Sequence, residues 1–171
     1  MGDVGGRIEE SKNWFERAAS RVPGYKGYKE KEWRREADKI QRRFTADRLE
    51  AGRRALEDVA LAISRRGTLD MMGVVDTVQR KLRTVKDRYL YADYGYAGWF
   101  NAVKVDEVVL DAMYQLDVEA QEAALAIEQL AKSLDADSPS LRADVKILED
   151  KIEALDEFFA KREHAITGAG R

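Results

Sequence analysis

The chain contains no cysteine, two prolines, two asparagines (Asn13 and Asn101) and one histidine. Without cysteine there is no disulfide framework, no thiol nucleophile and no zinc–thiolate centre. A carboxylate-bridged di-iron bundle needs Glu-x-x-His on two helices. Here the one histidine, His164, has Lys161 three residues before it. A nucleophilic triad lacks both Cys and a recognisable Ser partner for that histidine. No apolar run approaches the roughly 18–20 residues of a membrane span. Met1–Arg7 lacks the apolar core of a secretory leader, so the chain reads as soluble and cytoplasmic. No P-loop or dinucleotide fingerprint occurs, and Gly95 and Gly98 stand too close together for either. The sequence therefore presents no catalytic, cofactor-binding or metal-binding constellation and implies no small-molecule substrate.

What it does contain is charge. Of 171 residues, 36% are charged, above the usual quarter. The net charge of −2 hides an asymmetry: residues 1–91 hold 22 Lys and Arg against 15 Asp and Glu, and residues 92–171 hold 8 against 17. The first half is thus +7 and the second −9. Basic helices packed beside acidic ones would compensate within one bundle; a basic face towards anionic lipid or nucleic acid is the alternative. Two prolines and compact spacing favour the first.

A 3.6-residue period runs through nearly the whole chain, and no stretch alternates as a strand would. A short amphipathic helix is expected over Arg7–Arg21, with Ile8, Trp14, Phe15 and Ala18 on one side and Pro23-Gly24 ending it. A long helix follows over Lys29–Arg66, with Trp33, Ala37, Ile40 and Phe44, then Leu49, Leu56, Val59 and Ile63, as its apolar stripe. Gly67 stops it. Thr68 is expected to cap a third helix to Tyr91, striped by Met71, Val75, Val78, Leu82, Val85 and Tyr89. A fourth covers Val105–Leu134, with Leu116, Ala120, Ala123, Ile127, Leu130 and Leu134 in its stripe. Ser138 as cap and Pro139 at the first helical position start a fifth, carrying Leu141, Val145, Leu148, Ile152, Leu155, Phe159 and Ile166. Residues 1–6 and Thr167–Arg171 read as disordered tails.

The stripes repeat close to every seven residues, the seam geometry of coiled coils and four-helix bundles. The connections near Gly67 and Ser138 are short, so the helices they join should be antiparallel. The expected fold is all-α: one domain over 1–171, an elongated up-down antiparallel bundle of four long helices plus the short N-terminal one. His164 is expected to serve the last helix's negative end. The acidic pairs Glu149-Asp150 and Asp156-Glu157 read as a solvated face.

Two elbows concentrate aromatic residues. Tyr89–Phe100 holds four of the seven tyrosines beside Gly95 and Gly98, and Val22–Tyr28 is a smaller instance. Antiparallel packing would bring the start of the second helix, near Tyr28, beside the end of the third, near Tyr91. Such residues can plug the end of a bundle, or remain exposed as a protein-binding hot spot. The candidate partner-binding residues are Tyr25, Tyr28, Trp33, Tyr94, Tyr96, Trp99 and Phe100. The basic run Lys26–Arg43 interleaves cations with aromatics, but Glu30, Glu32, Glu36 and Asp38 interrupt it. Nucleic-acid surfaces normally carry a clean basic stripe, which argues against nucleic acid as a partner. Trp14 and Phe15 could lie on an anionic membrane surface or pack as a lid on the second helix; the lid is favoured, because Glu9, Glu10 and Glu16 leave their helix nearly neutral.

The segments Pro23-Gly-Tyr-Lys-Gly-Tyr-Lys-Glu-Lys-Glu, Arg34-Arg-Glu-Ala-Asp-Lys and Tyr94-Gly-Tyr-Ala-Gly-Trp-Phe-Asn-Ala-Val-Lys-Val-Asp-Glu resemble a family of bacterial all-helical proteins with no established activity. The resemblance covers about a quarter of the chain. It implies a bacterial helical protein, cytoplasmic and associated with the envelope, and assigns no residue a catalytic role. Together these readings point to a non-enzymatic scaffold or interaction module that binds itself or another cytoplasmic protein. Peripheral attachment to the anionic inner membrane, through the N-terminal helix and residues 26–43, is the alternative.

Overall fold

A computed structural model describes the backbone of residues 26–92 and 107–168, and within them the side chains of residues 39–68, 70–92 and 116–164. Every regular element among the described residues is a helix: α1 (Lys26–Arg66), α2 (Leu69–Tyr91), α3 (Glu107–Ser133) and α4 (Leu141–Gly168). Internal contacts divide the chain between Ala37 and Asp38. α1 runs through that division, and its length from Asp38 onward belongs with the other three helices.

The first turn of chain follows from one residue. Gly67 has φ of +73°, a left-handed conformation that costs glycine little and other residues more. Its N–H donates to the Ser64 carbonyl at 3.2 Å, closing α1. Thr68 does not cap α2 with its side chain, contrary to expectation. Its hydroxyl points back to the Ile63 carbonyl of α1, at 3.5 Å, and its own carbonyl accepts from Met71 N–H. Ser138 does act through its side chain as expected, its Oγ accepting from Ser140 N–H at 3.2 Å, but the regular helix begins later. Ser138 accepts from Leu141 N–H through its carbonyl at 3.1 Å, a tight turn that delays the regular helix to Leu141. Ser140 supplies the first carbonyl of the α-helical ladder, to Asp144 N–H. At the other end α4 continues through Gly168, so Thr167 and Gly168 are helical rather than tail.

The core is assembled from strict heptads. On α2 the buried positions include Val75, Val78, Leu82, Val85 and Tyr89; on α4 they are Leu141, Val145, Leu148, Ile152, Leu155 and Phe159, all as expected. On α1 the seam runs through Leu49, Leu56 and Ile63 with Ala46 and Val59 beside them. Counting back seven from Leu49 reaches Arg42, and Arg42 is indeed buried, whereas Ile40 is 57% exposed. The expected stripe through Ile40 and Phe44 is therefore wrong. A straight helix carries one seam, and the phase set by the three large residues at 49, 56 and 63 decides where it continues. Phe44 lies on the flank, half-buried, with the Arg48 guanidinium 5.1 Å above its ring. On α3 the seam likewise passes through Ala120, Ala124, Ile127 and Ala131, leaving Ala123 and Leu130 only partly buried.

Cross-helix pairs give the register. Glu50 of α1 meets Lys86 of α2, and Arg42 meets Tyr89, so numbers rise on one helix as they fall on the other. Asp70 meets Arg142, Lys81 meets Glu149 and Glu153, and Arg88 meets Asp156, so α2 and α4 run in the same direction. α4 packs against both α2 and α3. The α2–α4 pairs Lys81–Glu149, Lys81–Glu153 and Arg88–Asp156, with Arg48–Glu128 and Arg66–Asp137, join cations of the first half of the chain to carboxylates of the second; Arg142–Asp70 is reversed and Lys86–Glu50 lies within the first half. Glu149 and Asp156, read from sequence as part of a solvated face, are bridging groups between helices.

Gly52 marks the approach of α1 to α3. A methyl group added there would meet Ala131 Cβ and the Glu128 Cα at 3.6 Å, ordinary contact distances. Gly52→Ala is expected to stabilise the protein by about 0.5–1 kcal/mol, since alanine restricts the unfolded chain and favours helix. Thermal unfolding checks this; a lowered midpoint would mean the two helices are closer than the distances state.

Candidate functional site: a polar layer in the heptad seam

Among the described residues the buried polar side chains are Arg42, Thr45, Glu128 and Arg162, and all but Glu128 contribute to one polar layer. Arg42 of α1, 5% exposed, donates from Nη1 to the Tyr89 backbone carbonyl of α2 at 3.2 Å. That carbonyl belongs to the last turn of α2, where backbone acceptors lack helical partners and a cation is favoured. Tyr89 buries its ring edge-on against Phe159 of α4, centroids 5.0 Å apart, and its hydroxyl donates to the Leu155 carbonyl at 3.4 Å. Arg162 of α4, 2% exposed, donates from Nε to Asp117 Oδ1 of α3 at 2.6 Å. Thr45 is buried one turn from Arg42. The layer thus draws on all four helices.

Its members occupy seam positions. Arg42 lies seven before Leu49, Arg162 seven after Leu155, and Asp117 seven before Ala124. Polar side chains at these core positions lower stability while fixing which helices pair, and in what register. Burying a guanidinium is costly unless it is hydrogen-bonded, and the geometry supplies a carboxylate for one and a helix-terminal carbonyl for the other. A search for apolar periodicity passes over all three residues; extending each heptad by one repeat would have found them.

Two partly buried networks lie further along the helices. Glu50 receives Arg53 at 2.8 Å and Lys86 at 3.0 Å, and Arg53 also pairs with Glu57. The Arg53 hydrogen bond, opposed by desolvation and aided by Lys86, pulls the Glu50 carboxyl down to about 2. A lowered folded-state value stabilises the native protein above the ordinary value of 4.5, and the benefit disappears as pH falls from there towards about 2. Glu50→Gln is therefore expected to show a shallower loss of stability across that window than the parent. Chemical denaturation at a series of pH values tests it, and identical slopes would remove the assignment. Glu149, between Lys81 and Lys146, is likewise held below the usual carboxylate range, chiefly by Lys81.

A cleft of about 470 Å³ lies along α1 and the end of α3, lined by Ala55, Val59, Ala62, Ala131 and Leu134 with Asp58, Arg66, Lys132 and Asp135. Its cations are engaged elsewhere, Arg66 with Asp137 and Lys132 with the buried Glu128. Among the described residues no group of three or more His, Asp or Glu gathers to hold a metal ion, and no helix is long and apolar enough to cross a membrane.

The aromatic candidates fall elsewhere. Trp14, Phe15, Tyr25, Tyr94, Tyr96, Trp99 and Phe100 lie outside the described residues, and Tyr28 and Trp33 lie on α1 outside its described side chains. The α1 residue that meets Tyr89 of α2 is Arg42. His164 is exposed on α4, four residues before that helix ends.

Comparison with known proteins finds no matching family model, no matching curated protein and no matching solved structure. The class that the geometry defines is an all-α helical bundle with a polar layer in its seam.

Proposed function

We propose that this protein is a non-enzymatic helical interaction module, bacterial and cytoplasmic, that assembles with a second copy of itself or with another protein through the polar-layer end of the bundle. The observation that carries the reading is the placement of large apolar side chains there. Ile40 and Tyr91 are 57% and 70% exposed, and Leu90 is also exposed, on the two helices joined by the Arg42–Tyr89 hydrogen bond. Exposed aromatic and aliphatic residues near one another are the usual anchors of a protein interface. Tyr94, Tyr96, Trp99 and Phe100, with Tyr25, Tyr28 and Trp33, are the further residues proposed to bind the partner.

Lys39 and Arg43, exposed on either side of Ile40, support the second reading, peripheral attachment to the anionic inner-membrane surface. Light scattering across a concentration series, with and without anionic vesicles, separates the two. Self-association abolished by Ile40→Glu with Tyr91→Glu is the expected outcome. Vesicle binding by a monomer would favour the membrane. A protein that stays monomeric, ignores vesicles and captures no partner in a pull-down would overturn both.

A further inference from the structure

We infer that the face joining the α1–α2 hairpin to the α3–α4 hairpin is also a recognition surface for a second copy of this chain. When two chains fold together, each α1–α2 hairpin takes the other chain's α3–α4 hairpin in place of its own. The apolar seams do not by themselves tell one hairpin from the other. Val75, Val78, Leu82, Val85 and Tyr89 of α2 stand 70 residues before Val145, Leu148, Ile152, Leu155 and Phe159 of α4, and all are buried. On α1 and α3 the buried Ala46 and Leu49 match Ala124 and Ile127 in the same way.

The charges do discriminate. Residues 26–91 hold 18 Lys and Arg against 11 Asp and Glu, whereas residues 107–168 hold 6 against 15. Arg48–Glu128, Arg66–Asp137, Lys81–Glu149, Lys81–Glu153 and Arg88–Asp156 all place the cation on the first hairpin and the carboxylate on the second. Arg142–Asp70 is the reverse. Counting the same 70 residues back from Glu153 and Asp156 reaches Arg83 and Lys86. A second α1–α2 hairpin seated where α3–α4 sits would therefore set Lys81 against Arg83 and Arg88 against Lys86. Like charges so placed reject the wrong partner, while opposite charges select the right one.

An exchanged pair of chains reproduces both native interfaces and needs no contact that the single chain lacks. Exchange requires the hairpins to part first, and tethering favours the closed single chain. It is therefore reached by folding at high concentration rather than by mixing native chains. This interface is distinct from the Ile40–Tyr91 surface, and the two stand or fall separately.

Two full-length variants test the recognition. One carries Lys81→Glu with Arg88→Glu; the other carries Glu149→Lys, Glu153→Lys and Asp156→Lys. Within either chain these positions repel, but the hairpins of one chain complement those of the other. Refolded together, the variants are expected to form a heterodimer, with a dimer fraction at least about ten times that of either refolded alone. A mixture that matches its separate components would overturn the inference.

The unmodified protein supplies a second measurement, which needs neither variant to fold. Isotope-labelled and unlabelled chains are refolded together at high concentration, the dimer is isolated, and a carbodiimide joins Lys81 to Glu149 or Glu153. In an exchanged dimer every such link lies between chains, so about half of the linked peptides should pair a labelled with an unlabelled partner. Links confined within chains, or no dimer at any concentration, would overturn the inference. Ile40→Glu with Tyr91→Glu should leave the mixed links in place, since a dimer held by that surface keeps its Lys81 links within each chain.

Discussion

Leu82→Ala is expected to lower the unfolding free energy by about 3 kcal/mol, within the range for truncating a fully enclosed leucine. Leu82 has no exposed surface and stands midway along α2, between Val78 and Val85 in the seam that faces α4. The loss combines two effects, the transfer of the missing methyl groups and the cavity left behind. Collapse around that cavity is limited, because Leu82 sits inside a helix tied to α4 on both sides, by Lys81–Glu149 and Arg88–Asp156. Urea denaturation should show the midpoint falling with little change in slope, and thermal unfolding should move down by roughly 10 °C. Leu90→Ala, on an exposed position of the same helix, is the control and should cost well under half as much. Equal losses at the two positions would mean that the seam described for α2 is misplaced by a turn.

Asp117→Ala has the second large effect. It removes the carboxylate from a guanidinium that is 2% exposed, and breaking a buried pair from one side typically costs about 3–5 kcal/mol. The surface pair Arg142–Asp70, at 3.2 Å and open to water on both sides, gives the contrast: Asp70→Ala should cost no more than about 1 kcal/mol. The decisive variant is the double replacement Asp117→Leu with Arg162→Met. Removing both charges ends the desolvation cost along with the attraction, so the double variant should recover most of what Asp117→Ala loses, and it could exceed the parent. A double variant as unstable as the single one would mean that the pair contributes net stability rather than register.

Legibility in the sequence varied by helix, for a physical reason. On α2 and α4 apolar residues occupy every seam position from Met71 to Tyr89 and from Leu141 to Phe159, so three- and four-residue steps mark the buried face without ambiguity. On α1 two apolar series compete, one through Ile40 and Phe44 and one through Leu49, Leu56 and Ile63, and they differ in phase. Hydrophobicity cannot choose between them; the neighbouring helices do, by accepting one face. Arg42, Asp117 and Arg162 were invisible for the complementary reason. Charged residues default to the surface, and only a partner supplied by another helix makes their burial tolerable.

The sequence by itself determined the helical class, the four described helices to within a few residues, the glycine stop at Gly67 and the split of charge between halves. All of these rest on interactions within a turn or two of chain: side-chain spacing, left-handed glycine geometry and composition. Only the tertiary structure decided that α2 and α4 lie side by side, that Glu149 and Asp156 bridge helices, and that Arg42 with the Tyr89 carbonyl and Arg162 with Asp117 pair across helices. Those outcomes depend on contacts between residues about 45 to 72 apart in sequence, where the energy is in the fit of one helix face to another and no local pattern records it.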